Sequence, residues 1–475
     1  MTEPDVDGVD EALALVGRAP TGPSAPRPPG QQDTRDTPDR QGASGHRDAQ
    51  RHRDAQRHRD TAWDRARALA ARAGRCAAPR TRTVPLDQAL GRVLAEPLTA
   101  LTDLPPFDTS AMDGWAVAGP GPWEIRAEES LLAGRGEATA LPDGIAVRIA
   151  TGARVPADTT AVIRTEHARA TPGRADRAGT GGGGGHLHAR HEVVPGQDIR
   201  PRGQECRTGD ELLPAATIVT PAVLGLAAAA GYDRLVTAEP PRVDVLVLGD
   251  ELLTSGIPYD GLIRDALGPM LGPWLRTLGA EPTVRRIGDD ADALYEAVTG
   301  TDADLVVTTG GTAAGPVDHV HPVLRKAGAE LLVDGVRVRP GHPMLLARLT
   351  ANRHLVGLPG NPLAAVSGLL TLAEPLLRGL AGRRAPEPYR LPVRDDVHGH
   401  PRDTRLVPVA HRDGRAVPLH YAGPAMLRGL AAADGLAVVP PGGARTGDVL
   451  EILDLPWTAS TSAPAPAPAQ GGCFT

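Results

Sequence analysis

Between residues 242 and 382, short apolar runs alternate with helical ones, and each apolar run closes on glycine or a polar cluster. This alternation dictates a parallel sheet with helices on both faces, because a parallel crossover needs a dozen or more residues and a helix supplies them. RVDVLVLGDEL reads as a buried strand ending in Gly249-Asp250-Glu251, a second strand lies near residues 283–287, and a helix follows over 290–299. DLVVTT is a third strand, opening into Gly310-Gly311-Thr312. After the strand HLVGL, Gly360 permits a sharp turn, Asn361 suits a helix N-cap and Pro362 suits the first helical position. Ligands of such sheets sit outside the carboxyl ends of the strands. Three polar clusters fall there: Asp250-Glu251, residues 308–312, and the LPGNP of residues 358–362. The helix that follows, residues 363–382, is apolar on most sides and therefore buried; Pro375 should kink it, and its N-terminus is a site for an anion.

A second informative stretch is LPPFDTSAMDGWAV, residues 104–117. It puts the carboxylates Asp108 and Asp113 and the hydroxyls Thr109 and Ser110 into one turn-forming run. The Asp113-Gly114 pair suits a tight turn in which glycine tolerates positive φ. Two carboxylates facing one cavity suit a hard cation or a phosphate-bound metal, and the plainer alternative is an Asp-Gly turn capped by Thr109. Downstream, RIATGARVP carries Thr151-Gly152-Ala153, where a hydroxyl and a backbone N–H can point at an anion. The segment DIRPRGQECRTGDELLPAATIVTPAVLGLAAAAG adds Arg200, Arg202 and Glu205.

Around these stretches the chain divides by composition. Its 475 residues, 41% hydrophobic and 23% charged, suffice for two to four domains, and with only 3% aromatics the cores must be built from Ala, Val and Leu. Residues 19–60 are polar and include the repeat HRDAQRHRDAQRHRD. A segment of this kind stays solvated, and the six-residue spacing of His46, His52 and His58 fits no metal-ligand pattern. A helix, WDRARALAARAG, begins near residue 62 and ends at Gly74; a short helical run, LDQALGRVLAE, follows; then WEIRAEESLL, IAVRIA and TAVIR read as strands of a small β subdomain. Five consecutive glycines make residues 170–191 a flexible insertion. RLVPVA, AVPLH, GLAVVP and DVLEIL form a β-rich C-terminal domain with one helix near residues 424–432. The net charge of −6, with no basic face outside the tail, excludes nucleic acid as a partner. Three widely spaced cysteines indicate neither a disulfide framework nor zinc and fit a reducing cytoplasm. The longest apolar stretch, near residues 218–230, is too short to span a membrane, so no membrane association is expected.

The signature at residues 107–117 resembles the FDxSAMDGYAV pattern of the MoeA family, the molybdopterin molybdenumtransferases that include the E domain of gephyrin, with Trp115 for the usual tyrosine. RIATGARVP is similar to the family's RIxTGAxxP, and the segment from residue 198 is similar to IRxRGEDxxxGxxLLPxGxxLxPxxLGLLAxxG. The resemblance covers about residues 62–454. It implies an α/β multidomain fold: an N-terminal mixed α/β region with a β subdomain (61–240), a central three-layer molybdopterin-binding α/β domain (241–383) and a C-terminal small β-barrel (390–454), between tails at 1–60 and 455–475. It also implies a cytoplasmic homodimer that inserts molybdate into adenylylated molybdopterin with Mg²⁺ and releases AMP. Asp113, Thr151 and Glu205 of one subunit would meet Asp250 and Asp318 of the other as catalytic groups, with Asp113 and Asp250 as metal ligands. Gly310, Gly311, Thr312, Arg339, His342, Pro359, Gly360, Asn361 and Pro362 would bind pterin and oxyanion. Molybdoenzymes or cofactor-pathway proteins are the implied protein partners.

Several family residues are replaced in the central loops. STGDE becomes residues 247–251 reading VLGDE, SGGVSxG becomes TGGTAAG, DYxK becomes Asp318-His319-Val320-His321, KPGKP becomes Arg339-Pro340-Gly341-His342-Pro343, and NPVSA becomes NPLAA. Glycines and carboxylates persist while hydroxyls and lysines change. Arg339 keeps its charge, whereas His342 would be only partly charged near neutrality. A catalytically altered paralogue, acting as a pterin-binding carrier or scaffold, is the alternative these replacements raise.

Overall fold

The computed structural model describes residues 60–76, 79–131, 139–171, 185–312 and 318–456. The tails, with the histidine repeat up to residue 59, and most of the glycine-rich insertion lie outside the described residues. The central sheet has six strands: β1 (Arg242–Leu248), β2 (Glu281–Ile287), β3 (Leu305–Thr309), β4 (Glu330–Asp334), β5 (Leu345–Thr350) and β6 (Arg353–Leu358), in the order β2-β1-β3-β6-β5-β4. Period-two alternation decides its layers. Val243, Val245 and Val247 of β1 face one side, with Leu271 and Leu275 of the Leu267–Thr277 helix, while Leu246 faces the other, with Leu294 and Val298 of the Ala291–Gly300 helix. Helices therefore cover both faces, as the sequence pattern demands. The sheet is mixed, however: β2, β1, β3 and β6 are parallel, but β6-β5 and β5-β4 are antiparallel. Only residues 351 and 352 separate β5 from β6, too few for a crossover.

The helix after β6 is continuous over Pro362–Leu380 but changes register. An α segment, Pro362–Gly368, passes through a π turn, Leu369–Ala373, into a second α segment, Glu374–Leu380. Pro375 is the cause, since it has no N–H to donate and its ring would clash with the carbonyl four residues back. The Glu374 N–H reaches the Leu369 carbonyl, five residues back, and the Leu370 carbonyl instead accepts from Arg67 Nη1 at 3.2 Å. This 19-residue helix, rather than residues 218–230, is long and apolar enough to cross a membrane, yet 89% of it is buried inside the protein, as a core helix would be.

Arg67 belongs to the Trp63–Arg75 helix, which lies across the Glu374–Leu380 segment. A Cβ on Gly74 would sit 2.1 Å from the Leu376 carbonyl oxygen, so this glycine permits close helix approach and does not terminate the helix, which runs on to Arg75. Trp63 Nε1 donates to Thr371 Oγ1 at 3.1 Å and so ties the same helix to the π turn.

The β subdomain is a six-stranded sheet ordered Ala161–Arg164, Gly114–Val117, Ile145–Ile149, Trp123–Leu131, His186–Ala189, Ala168–Thr171. Beside it, Val84, Leu94, Leu98, Val219, Val223 and Leu235 form a separate small core. The run from residue 86 gives a single 3₁₀ turn, Leu86–Gln88, instead of the expected helix. Gly91 turns the backbone at φ +76°, and Val93 and Leu94 then pair as bridges with Ile218 and Thr237. In the C-terminal region, Tyr389–Pro392, Val449–Asp454, Gly435–Val439, Thr404–Arg412 and Arg415–Pro418 form a curled sheet, and a Val393–Ala416 bridge brings its ends together. Val336–Arg339 and Thr61–Ala62 extend that sheet beyond the domain.

Candidate functional site

At the carboxyl ends of β1, β3 and β6 three loops converge. Gly249 (φ +125°), Gly310 (φ +83°) and Gly311 (φ +66°) adopt the left-handed conformations that glycine tolerates. The Gly310 N–H donates to the Leu358 carbonyl at 2.8 Å, and a Cβ on Gly360 would lie 3.7 Å from Gly310 Cα. Bare backbone from two loops is thereby held at one place. Asp250 is exposed, with its Oδ1 2.7 Å from where a Gly288 Cβ would stand. Thr312 is buried against Gly357, and Asp318, half-buried, leads into the Val320–Lys326 helix. Ala313, Ala314 and Gly315 lie outside the described residues.

The helix that begins at Pro362 is less open to an anion than its sequence promises. Pro362 has no N–H, and the next two, Leu363 and Ala364, both donate to the Pro424 carbonyl, at 2.9 and 3.3 Å. That oxygen comes from the C-terminal domain and takes the place foreseen for a ligand. Asn361 occupies the N-cap position without a side-chain capping bond.

The expected loop cations are also committed. Arg339 Nε donates to Asp403 Oδ2 at 3.0 Å, and His342 Nε2 lies 2.7 Å from Asp60 Oδ2, a carboxylate 4% exposed. His321 Nε2 is 2.8 Å from Asp334 Oδ1, and that hydrogen bond raises the imidazole pKa against the opposing effect of burial. Arg339 and His342, expected at the oxyanion site, are thus each engaged by a carboxylate of the same chain. Each stands where the fold supplies an internal carboxylate: Arg339 ends a strand paired beside residue 403, and Asp60 begins the described chain at the strand that follows Gly335.

On the β subdomain, Asp113 Oδ1 accepts from the Thr151 N–H at 2.7 Å and the Thr151 hydroxyl at 2.9 Å. These bonds, the backbone one first, hold the exposed carboxyl below its ordinary pKa. Gly114 is needed here for space and not for positive φ: a Cβ would stand 2.0 Å from the Ile163 carbonyl oxygen on the neighbouring strand. Ser110, fully buried, donates to the Met112 carbonyl at 2.6 Å. Asp108 accepts from a different segment, the Arg202 N–H at 2.7 Å. Asp103, beside it, takes the Thr208 N–H and hydroxyl and the Arg202 side chain, which bring its pKa down to about 2. Glu205 is exposed at the other end of the signature, its N–H on the Leu104 carbonyl at 2.8 Å.

Sequence reasoning overlooked Asp60, Asp103 and Pro424, which carry no motif of their own. It also overlooked Arg148 and Arg154, for which there was a signal: they bracket the TG pair in RIATGARVP.

Comparison with known proteins places this geometry. Residues 59–231 match the profile described as MoeA N-terminal region (domain I and II), residues 244–379 the probable molybdopterin binding domain, and residues 390–455 the MoeA C-terminal region (domain IV). The sequence is 36% identical over 394 residues to molybdopterin molybdenumtransferase 2 of Mycobacterium tuberculosis, covering 78% of this chain and 92% of that protein. It is 31% identical over 400 residues to the molybdopterin molybdenumtransferase of Nostoc sp., covering 79% and 89%. The crystal structure of a molybdopterin biosynthesis MoeA protein from Pyrococcus horikosii superposes with a TM-score of 0.69 at 24% identity, over 83% of this chain and 99% of that one.

Proposed function

The chain belongs to the MoeA family of molybdopterin molybdenumtransferases, and from that premise we propose that it takes adenylylated molybdopterin and molybdate, cleaves the link between the two phosphates and releases AMP and the molybdenum-loaded pterin. It is a transferase of molybdenum cofactor biosynthesis, with identity of 31–36% to molybdopterin molybdenumtransferases over most of its length. The observation that carries the residue assignment is the Asp113–Thr151 pair. Both Thr151 bonds fall on Oδ1, which leaves Oδ2 of an ionised, exposed carboxylate toward solvent and ligand. Thr151 positions that carboxylate, and Glu205 supplies a second acid on the same region. Asp250 and Asp318 supply acids beside the glycine loops, where Gly310, Gly311 and Gly360 let backbone approach a flat pterin and its phosphate.

The donor set fits a magnesium ion held chiefly by substrate. Among the described residues no group of three or more His, Cys, Asp or Glu could hold a metal unaided. Mg²⁺ is typically bound through one or two carboxylates plus substrate phosphates, and Asp113 and Asp250 are suited to that role. When bound, the ion would neutralise charge on the phosphate oxygens. We infer a homodimer in which Asp113 of one subunit meets Asp250 of the other. Ile257 (84% exposed), Tyr259 and Ile263 support it, as an uncovered apolar edge just beyond Asp250.

The test is AMP release by the purified full chain from adenylylated molybdopterin, with and without molybdate, Mg²⁺ and chelator, alongside complementation of a strain lacking its insertase. Release that depends on both ions supports the proposal. Failure of both assays overturns it, and a monomer by light scattering at micromolar concentration overturns the composite site.

A further inference from the structure

The RIATGARVP segment beside the signature carries two cations that the reading above leaves unused. Arg148 lies opposite Trp115 on adjacent strands, with its guanidinium carbon 5.5 Å from the Trp115 ring centroid. Arg154 bridges to Thr109, with its guanidinium carbon 5.6 Å from the Phe107 ring centroid. Both arginines are exposed, and among the described residues neither takes part in an ion pair. Their aromatic partners come from the two ends of one signature, residues 107–117, and Asp113 lies between them in that segment. Arg148 is near enough for its charge to favour the Asp113 carboxylate.

A cation–π contact restrains a guanidinium against a ring without consuming its N–H donors, whose fork matches two oxygens of a phosphate. An ion pair would have consumed them. The contrast with the central loops is direct: there Arg339, His342 and His321 are bound to Asp403, Asp60 and Asp334. A reaction on a polyanion needs cationic donors somewhere in its cleft.

We propose that Arg148 and Arg154 form a phosphate clamp on the β subdomain, gripping the phosphate oxygens of the adenylylated substrate beside Asp113. Recognition of phosphate needs only the two guanidinium forks; which phosphate they hold rests on the function proposed above. Trp115 and Phe107 act as positioning residues. Loss of either ring leaves the charge but frees its direction.

Inorganic pyrophosphate is the probe for the clamp, titrated calorimetrically into the full-length wild type, Arg148→Ala, Arg154→Ala, Arg154→Lys and Phe107→Leu. Each alanine variant should weaken pyrophosphate binding about ten- to hundredfold, the size of charge-assisted hydrogen bonds. Arg154→Lys and Phe107→Leu should each retain part of the affinity, which holds the test open should an alanine variant fail to fold. With adenylylated molybdopterin, KM should rise in the same order while kcat is largely kept. Molybdate affinity should be unchanged; a loss in molybdate binding without a loss in pyrophosphate binding overturns the assignment to phosphate. Equal pyrophosphate affinity in all five proteins, or none in the wild type, overturns the clamp. If the wild type binds pyrophosphate through these arginines yet releases no AMP, the proposed reaction fails and the clamp stands.

Discussion

In the central domain, Arg339, His342 and His321 each pair with a carboxylate of the same chain, whereas on the β subdomain Arg148 and Arg154 lie on aromatic rings with no ion pair among the described residues. The acids differ in a parallel way. Asp60 and Asp403 are buried in pairs, while Asp113 is exposed and fixed by neutral donors from Thr151. A charge neutralised inside the fold acts on stability; one held open by neutral or aromatic neighbours acts on a ligand. Removing charge should therefore read out as lost stability on the central side and as lost activity or binding on the other.

The largest effect is expected from Asp113→Asn. Asparagine can still accept the two Thr151 bonds through its own oxygen, so the loop should hold while the anionic oxygen is lost. AMP release should fall at least about a hundredfold, the scale of removing one electrostatic group from a reacting centre, with an unchanged thermal midpoint. Near wild-type turnover, or a fall in midpoint that tracks the loss, would make Asp113 a structural residue like those of the central side.

Asp60→Asn tests the other half. This carboxylate is nearly fully buried against a His342 that is 27% exposed, so the pair lies between a surface and a core ion pair. Breaking a fully buried pair costs about 3–5 kcal/mol, and partial exposure of the histidine reduces the expected loss to about 2 kcal/mol by urea unfolding. Pyrophosphate affinity should not move. If stability is retained and ligand affinity falls, His342 belongs to the ligand site and the contrast collapses.

These partners also show which parts of the molecule were legible in the sequence. The centre with helices on both faces was, because strand-like and helix-like runs alternate there and the apolar run from Val245 to Val247 leaves neither face of its strand polar. The Asp113 and Thr151 segments were recognisable as signatures, and the glycine turns as turns. What escaped were long-range pairings. Nothing local announces that Asp60 meets His342, 282 residues on, or that the Pro424 carbonyl takes the N–H groups of Leu363 and Ala364. Gly74 and Gly114 were assigned conformational roles, though in each case the reason for glycine is a neighbouring backbone only the fold brings near. Patterning records which side of an element is dry; it does not record which charge on that side already has a partner.

The smallest effect, and the one whose sign is most constrained, concerns His321. Its hydrogen bond to Asp334 raises the folded-state pKa above the ordinary 6.5, with burial opposing and the charges of Arg325 and Asp318 acting in opposite directions. A folded pKa above the unfolded one means that the folded state binds the proton more tightly. The stabilisation is therefore fully present below about pH 6.5 and is lost as pH rises through the folded value. Because the His321 and Asp334 side chains are 25% and 29% exposed, the contribution should stay below about 1 kcal/mol. Urea unfolding at pH 5.5 and pH 9 should show it as a difference between wild type and His321→Gln, whose amide nitrogen falls near the Nε2 position and can still donate to Asp334 but does not titrate. The variant should lose stability at the lower pH and match the wild type at the higher one. A variant that unfolds like the wild type at both pH values, but binds molybdate or pyrophosphate more weakly, would place His321 among the ligand-facing cations and leave the β subdomain without its distinction.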